Sequence, residues 1–276
     1  MTPTHHPTRR PVLRSLIASA ILLTPAGLML PAMAQDTAPN AKDLASRLSA
    51  ALLDNASMVR LKIESKASGS SPKSVLQIQV KARRTPAATD LVYSVLWPKD
   101  RKGEAFLLRK ASGKPATGTV FALPDSVRPL NASHMQEGIF GTDLAYEDLV
   151  ENFYAWDKQE IVGTETVDRV ACQILESKPG SGQKSTYGRV RSWIDPKRLV
   201  PLKIEKYLTS GALARTIETT RVAKDDTDRQ VPASFRVRRP GHDSVTELEG
   251  SNSRHDVTLS DADFTAEALK AAAKPK

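Results

Sequence analysis

The sequence predicts a mainly β, α+β fold: one antiparallel sheet of about eleven strands with a few helices on one side. Three features predict it. From Met58 to Glu249, apolar and polar residues alternate with a period of two in run after run. Turn-forming groups such as Pro98-Lys99-Asp100, Ser112-Gly113, Lys178-Pro179-Gly180-Ser181-Gly182, Asp195-Pro196, Ser210-Gly211 and Pro240-Gly241 separate these runs at strand-length intervals, as in a meander. A helical period occurs in only three segments, and no linker long enough to divide the mature chain is present. The composition, 40% hydrophobic and 26% charged over 276 residues, is that of an ordinary globular protein and excludes disorder and collagen-like repetition.

Residues 1–34 have the pattern of an export signal that is cleaved. Arg9, Arg10 and Arg14 form a basic start, Leu16 to Leu30 an apolar stretch, and Ala32-Met33-Ala34 a cleavage site, which places the mature N-terminus at Gln35. The apolar stretch is short and interrupted by Pro25 and Gly27, so a retained transmembrane anchor is the weaker reading. Thr8-Arg9-Arg10-Pro11-Val12-Leu13-Arg14 resembles a twin-arginine motif, and the general secretory and twin-arginine routes both stay open. No cysteine follows the cleavage site, so the chain is not expected to be acylated itself.

In the mature chain, residues 35–276 read as a single domain. Lys42 to Ala56 is an amphipathic helix, with Leu44, Leu48, Ala51 and Leu52 on one face. Val59, Leu61 and Ile63 alternate with charged residues, and after a Ser-Gly-rich turn at 68–72 so do Leu76, Ile78, Val80 and Ala82. Such a hairpin has one apolar side that needs a cover, and the first helix is the expected cover. Further strands are expected at 90–97, 104–110, 117–123, 169–176, 188–194, 202–208, 212–222, 233–238 and 244–249. Two more helices are expected, around 144–156 and over 265–273.

The residues offer little to an enzyme. Cys172 is the sole cysteine, which excludes an intrachain disulfide and a thiolate metal cage, and mid-strand it reads as a small buried hydrophobe. His134, His242 and His255 lack ligand-like spacing. Asp225-Asp226-Thr227-Asp228 lacks the glycine and distal glutamate of a calcium loop and reads as a solvated turn. No Gly-x-Ser-x-Gly elbow occurs. No catalytic residue, metal or cofactor is therefore expected. Removing the three signal arginines lowers the formal charge from +9 to +6. The basic residues are scattered and aromatic content is 5%, which argues against nucleic acid; the excess charge reads first as a solvated basic surface, and Arg236 to His242 as either a contact for anionic head groups or protection of a strand edge from pairing.

Gly141-Thr142-Asp143-Leu144-Ala145-Tyr146-Glu147-Asp148-Leu149 resembles the glycine-to-YEDL signature of the outer-membrane lipoprotein-sorting family, whose fold is similar to the periplasmic lipoprotein carrier LolA. Matching pieces follow in the family's order: Cys172 to Glu176, Arg191-Ser192-Trp193-Ile194-Asp195, Val200 to Glu205, a hairpin at Tyr207 to Thr216 with Gly211 at its tip, and Phe264 to Leu269. The resemblance covers about residues 42–270. It implies a strongly curved sheet forming an incomplete barrel of the LolA/LolB kind, with helices as a lid over an apolar concave face. It also implies a periplasmic carrier of acylated lipoprotein or lipid, served by an inner-membrane transporter and an outer-membrane acceptor. The alternatives are a lipid-binding accessory of an inner-membrane exporter and a structural envelope protein with a filled cavity.

The candidate cavity-lining residues are Leu91, Tyr93, Val95 and Trp97, alternating along one strand, and Phe106 and Leu108 on the next; each competes with a role as ordinary core. Trp193 matches the family's aromatic position, with packing between sheet and lid as its structural role. Tyr146, Glu147 and Asp148 are expected to be architectural, their carboxylates suiting the positive end of a helix.

Overall fold

The computed structural model describes residues 40–66, 74–255 and 257–273. The expected export signal and the turn at 68–72 lie outside them. Helix α1 (Ala41–Leu52) precedes six strands: β1 (Asp54–Lys66), β2 (Ser74–Arg84), β3 (Ala88–Trp97), β4 (Ala105–Ala111), β5 (Thr117–Ala122) and β6 (Ser126–Leu130). A segment holding the short helix α2 (Tyr146–Val150) leads to β7 (Lys158–Val167), β8 (Val170–Lys178), β9 (Tyr187–Asp195), β10 (Val200–Leu208), β11 (Leu213–Lys224), β12 (Gln230–Arg238) and β13 (Val245–Arg254). Helix α3 (Ala266–Ala273) follows.

All thirteen strands form one antiparallel sheet in the order β6-β5-β4-β3-β2-β1-β13-β12-β11-β10-β9-β8-β7. The two strands beyond the expected eleven are its edges, β6 and β7. β6 is five residues long and contains Pro129, which cannot donate to a ladder. β7 is exposed or half-buried along its length, so neither face gives a core-directed signal.

Strands β6 and β7 are neighbours in sequence and opposite edges in space, so residues 131–157 must cross the whole sheet. That crossing requires curvature. The Tyr146 ring lies 5.0 Å from the Phe106 ring on β4, while the Asp148 carboxylate lies 2.9 Å from Lys206 Nζ on β10 and 3.1 Å from Arg215 Nε on β11. In a flat sheet six strand spacings would hold β4 and β11 about 29 Å apart. Side chains two residues apart on one helical turn span that only if the sheet curls around them.

The crossing segment is shaped by its glycines. Gly141 has φ +82°, and a Cβ on Gly138 would lie 2.1 Å from the Thr142 carbonyl oxygen, so the tight turn between the Gly138–Ala145 bridge partners requires both. Asn40 caps α1 by accepting from the Lys42 N–H at 2.7 Å, and the helix stops at Leu52 because β1 already pairs with β2 at Asp54.

Two expectations about helices are corrected. α1 does not cover the β1–β2 hairpin: Leu44, Ala45 and Leu48 pack with Phe153, Tyr154, Trp156, Leu175, Val190 and Ile194, over β8 and β9. The hairpin's apolar side is covered by the crossing segment instead. Nor are all helices on one side. Phe264 and Leu269 pack with Val92, Ala105, Leu107 and Phe121, the residues of β3 to β5 that alternate with the inward-facing ones, so α3 lies on the outer face.

Candidate functional site

The inner face of β1 to β4 carries Ile63, Ile78, Val80, Leu91, Tyr93, Val95, Phe106 and Leu108, and Ile217, Val237 and Leu248 face them from β11 to β13. Five of the seven candidate lining residues therefore belong to the interior. Leu91, Phe106 and Leu108 are fully buried, and Tyr93 stacks on Phe106 with ring centroids 4.8 Å apart. Opposite them, Met135, Ile139, Leu144, Tyr146 and Val150 of the crossing segment join the same cluster, with Phe140 5.1 Å from the Phe106 ring. The interior over β1 to β4 is apolar and occupied by the protein's own side chains.

The other two candidates lie elsewhere. Trp97 leaves the inward series at the rim of the sheet: a register shift after Val95 sets it opposite Gln77, which alternates with the buried Leu76 and Ile78, and it is 49% exposed. Trp193 does not pack between sheet and lid. It alternates with Val190, Ser192 and Ile194, which face inward, so it points outward and is buried with Cys172, Val200 and Leu202. There Lys203 Nζ sits 4.1 Å from its ring centre and its indole N–H donates to Glu165 at 2.6 Å. Cys172 is buried as expected, and burial pushes its thiol up.

A polar clasp fastens the crossing segment. The Asp148 side chain is fully buried and accepts from Tyr187 Oη at 2.6 Å, Lys206 Nζ at 2.9 Å and the Ala145 N–H at 2.7 Å. Arg215 adds an ion pair, and its guanidinium donates to the Asp143 and Gln136 carbonyls at 2.8 and 3.0 Å and to the Gln136 side chain. Burial works to raise the Asp148 pKa, but Lys206 and Arg215, with the bonds from Tyr187 and Ala145, outweigh it and hold the carboxyl below its usual range. Burial and the Asp148 charge push the Tyr187 phenol well up, so it stays a donor.

Neighbouring acids extend the clasp. Glu147 accepts from Ser185 Oγ at 2.6 Å, the Thr186 N–H at 2.9 Å, the Thr186 hydroxyl and Gln136, tying α2 to the β8–β9 turn. Asp143 accepts from Ser244 Oγ at 2.6 Å and Thr246 Oγ1 at 2.9 Å. Glu151 pairs with Lys110 and accepts from the Trp156 indole at 2.8 Å, and burial raises its pKa despite both. The architectural role expected for the Tyr146-Glu147-Asp148 triplet is what these contacts perform. Helix capping is the smaller part of it, made by Asp148 on Ala145.

One cluster crosses a sequence gap too long for spacing to reveal. Ligand atoms of Asp225, Asp226 and His255 lie within 4.8 Å of one another, because β12 and β13 bring His255 back beside the β11–β12 turn. Arg229 already supplies the positive charge: its guanidinium is 2.9 Å from Asp225 Oδ2 and 3.2 Å from His255 Nε2. The turn is closed by its own residues, with Asp225 accepting from the Thr227 hydroxyl and the Thr227 and Arg229 N–H groups.

The fold and interior define the class: an unclosed antiparallel half-barrel of the LolA kind, with an apolar face spanned by one crossing segment. The family carrying the description "Uncharacterized protein" matches residues 89–271, more than half of the chain, and the chain belongs to it. Among solved structures, a DUF1329 family protein from Desulfovibrio piger superposes with a TM-score of 0.76 at 24% identity, over 83% of this chain and 97% of that one. A putative outer membrane lipoprotein-sorting protein domain from Vibrio parahaemolyticus gives 0.73 at 20% identity, over 83% and 98%. A LolA superfamily protein from Nitrosomonas europaea gives 0.67 at 18% identity, over 84% and 100%. No curated protein matches the sequence. The resemblance drawn from the YEDL region thus extends to the fold of the whole domain.

Proposed function

We propose that this protein is a periplasmic carrier that takes acyl chains of lipoproteins or lipids into its half-barrel and moves them toward the outer membrane. The observation that carries the reading is the construction of the interior, an apolar wall covered by a single segment whose attachment includes a polar clasp. Burying a methylene contributes about 0.8 kcal/mol, so a sixteen-carbon chain resists water by about 12 kcal/mol. A carrier has to come near the membrane's affinity without exceeding it. Met135, Ile139, Leu144, Tyr146 and Val150 cover the wall in the unloaded state, and an acyl chain replaces them when the segment lifts. Exchanging one apolar cover for another keeps loading and release close in free energy. Leu91, Tyr93, Val95, Phe106 and Leu108 then line the cargo site.

A second reading is favoured by the near-complete burial of those same residues: a structural envelope protein whose half-barrel is permanently filled. Titration with a fluorescent fatty acid separates the two. Saturable uptake, displaced by palmitate, supports carriage; absence of uptake at every concentration supports the filled barrel. An accessory of an inner-membrane lipid exporter would share the interior and differ in its partner.

A further inference from the structure

We propose that the rim of the sheet at the β3–β4 hairpin docks on the surface of an anionic lipid bilayer, with Trp97 entering the head-group layer and Lys99 and Lys102 pairing with lipid phosphates. This surface goes beyond acyl carriage and stands on its own observations. Trp97 is 49% exposed, whereas Trp156 and Trp193 are buried. A solvent-facing indole is an amphipathic group suited to the boundary between head groups and acyl chains.

The turn beside Trp97 carries two unpaired lysines and one exposed acid, Asp100. Lys99 and Lys102 are exposed, and among the described residues neither forms an ion pair. Arg101 is tied to Glu104 at 2.6 Å and Asp100 completes the turn. Strand register adds charge at the same end of the sheet. Gln77 opposes Trp97 and Lys62 opposes Gln77, and β1 then runs on to the exposed Lys66, which opposes Val245, itself opposite Arg238. Arg238 is spoken for by Glu218, while Lys66 faces solvent. A lone indole among free lysines complements a layer of phosphates with hydrocarbon beneath it. A protein partner would call for a wider apolar patch.

The test uses vesicles of phosphatidylcholine with about one-third phosphatidylglycerol, against phosphatidylcholine alone. Because the other two tryptophans are buried, a vesicle-induced change in emission reports Trp97. Addition of anionic vesicles is expected to shift it to the blue, and lipids brominated near the head group to quench it, with binding that weakens as salt rises. W97A is expected to abolish the optical change and most of the binding. K99E/K102E is expected to weaken binding about tenfold or more, with unfolding curves of both variants matching the parent. Vesicle binding indifferent to W97A, binding equal on both vesicle types, or an absent spectral change overturns the proposal. So does a dimer that W97A dissociates, which would make this rim an interface between copies.

Discussion

Asp148 carries a heavy electrostatic demand, since its carboxylate has no solvent and answers two buried cations. Replacing it with alanine strands Lys206 and Arg215 and is expected to cost about 3–5 kcal/mol in urea unfolding. Leu108→Ala, which empties a fully buried interior position, is expected to cost about 2–5 kcal/mol. Acid acts through the same carboxylates. Asp225 is held down to about 2, against the upward pull of burial, by the Thr227 hydroxyl, the Thr227 and Arg229 N–H groups and the Arg229 guanidinium. A depressed carboxyl contributes stability that is present above its unfolded pKa, about 4, and is lost as pH falls through the folded value. The urea midpoint is therefore expected to fall between about pH 4 and pH 2, and Asp225→Asn to flatten part of that decline. Glu151 opposes the trend. Its raised pKa gives stability present in acid and lost as pH rises through the folded value. A midpoint insensitive to pH below 4 would contradict this account. The first-turn capping by Asp148 was legible from the sequence. Its partners on β10 and β11 were not, because they are brought near only by sheet closure over the crossing segment.

At the scale of elements, the proposed carriage turns on the segment from Asn131 to Asp157, which covers the apolar wall. Gln136 links Arg215, Glu147 and Thr186 without carrying charge, so Gln136→Ala loosens the clasp and leaves its ion pairs in place. Losing about 1 kcal/mol of closed-state stabilisation raises the open fraction, and apparent acyl affinity is expected to tighten about fivefold. Unchanged or weaker uptake would show that the segment does not gate. Hydrogen exchange offers an independent check: a bound acyl chain is expected to speed exchange over Met135–Val150 and leave β8 and β9 protected. Phe264→Ala, on the outer face, is expected to cost about 3–5 kcal/mol while leaving uptake unchanged. The meander of eleven strands was readable because most of its strands alternate apolar with polar residues and turn-forming groups separate them. The edges escaped for physical reasons, β6 through its proline and shortness and β7 because its inner face is only half-buried and its outer face exposes Val162. Which helix covers which face was also beyond local pattern: an amphipathic stripe says that a surface is buried, not against what.

For the whole molecule, the sheet order explains why one segment serves as the lid. Two meanders, β1 to β6 and β7 to β13, join where β1 pairs with β13, which leaves β6 and β7 as separated edges and forces their connection across the curve. Period and turn chemistry could reveal the antiparallel meander. The curl could not be read from them, and only the resemblance carried by the Gly141-to-Leu149 region pointed to an incomplete barrel. The central claim is that this interior exchanges its own apolar cover for an acyl chain. Native mass spectrometry of the protein isolated from a periplasm without detergent tests it most directly. The account predicts an additional acylated mass that added fatty acid displaces. A clean unliganded mass that takes up no acyl probe would contradict it and make the filled half-barrel the better description.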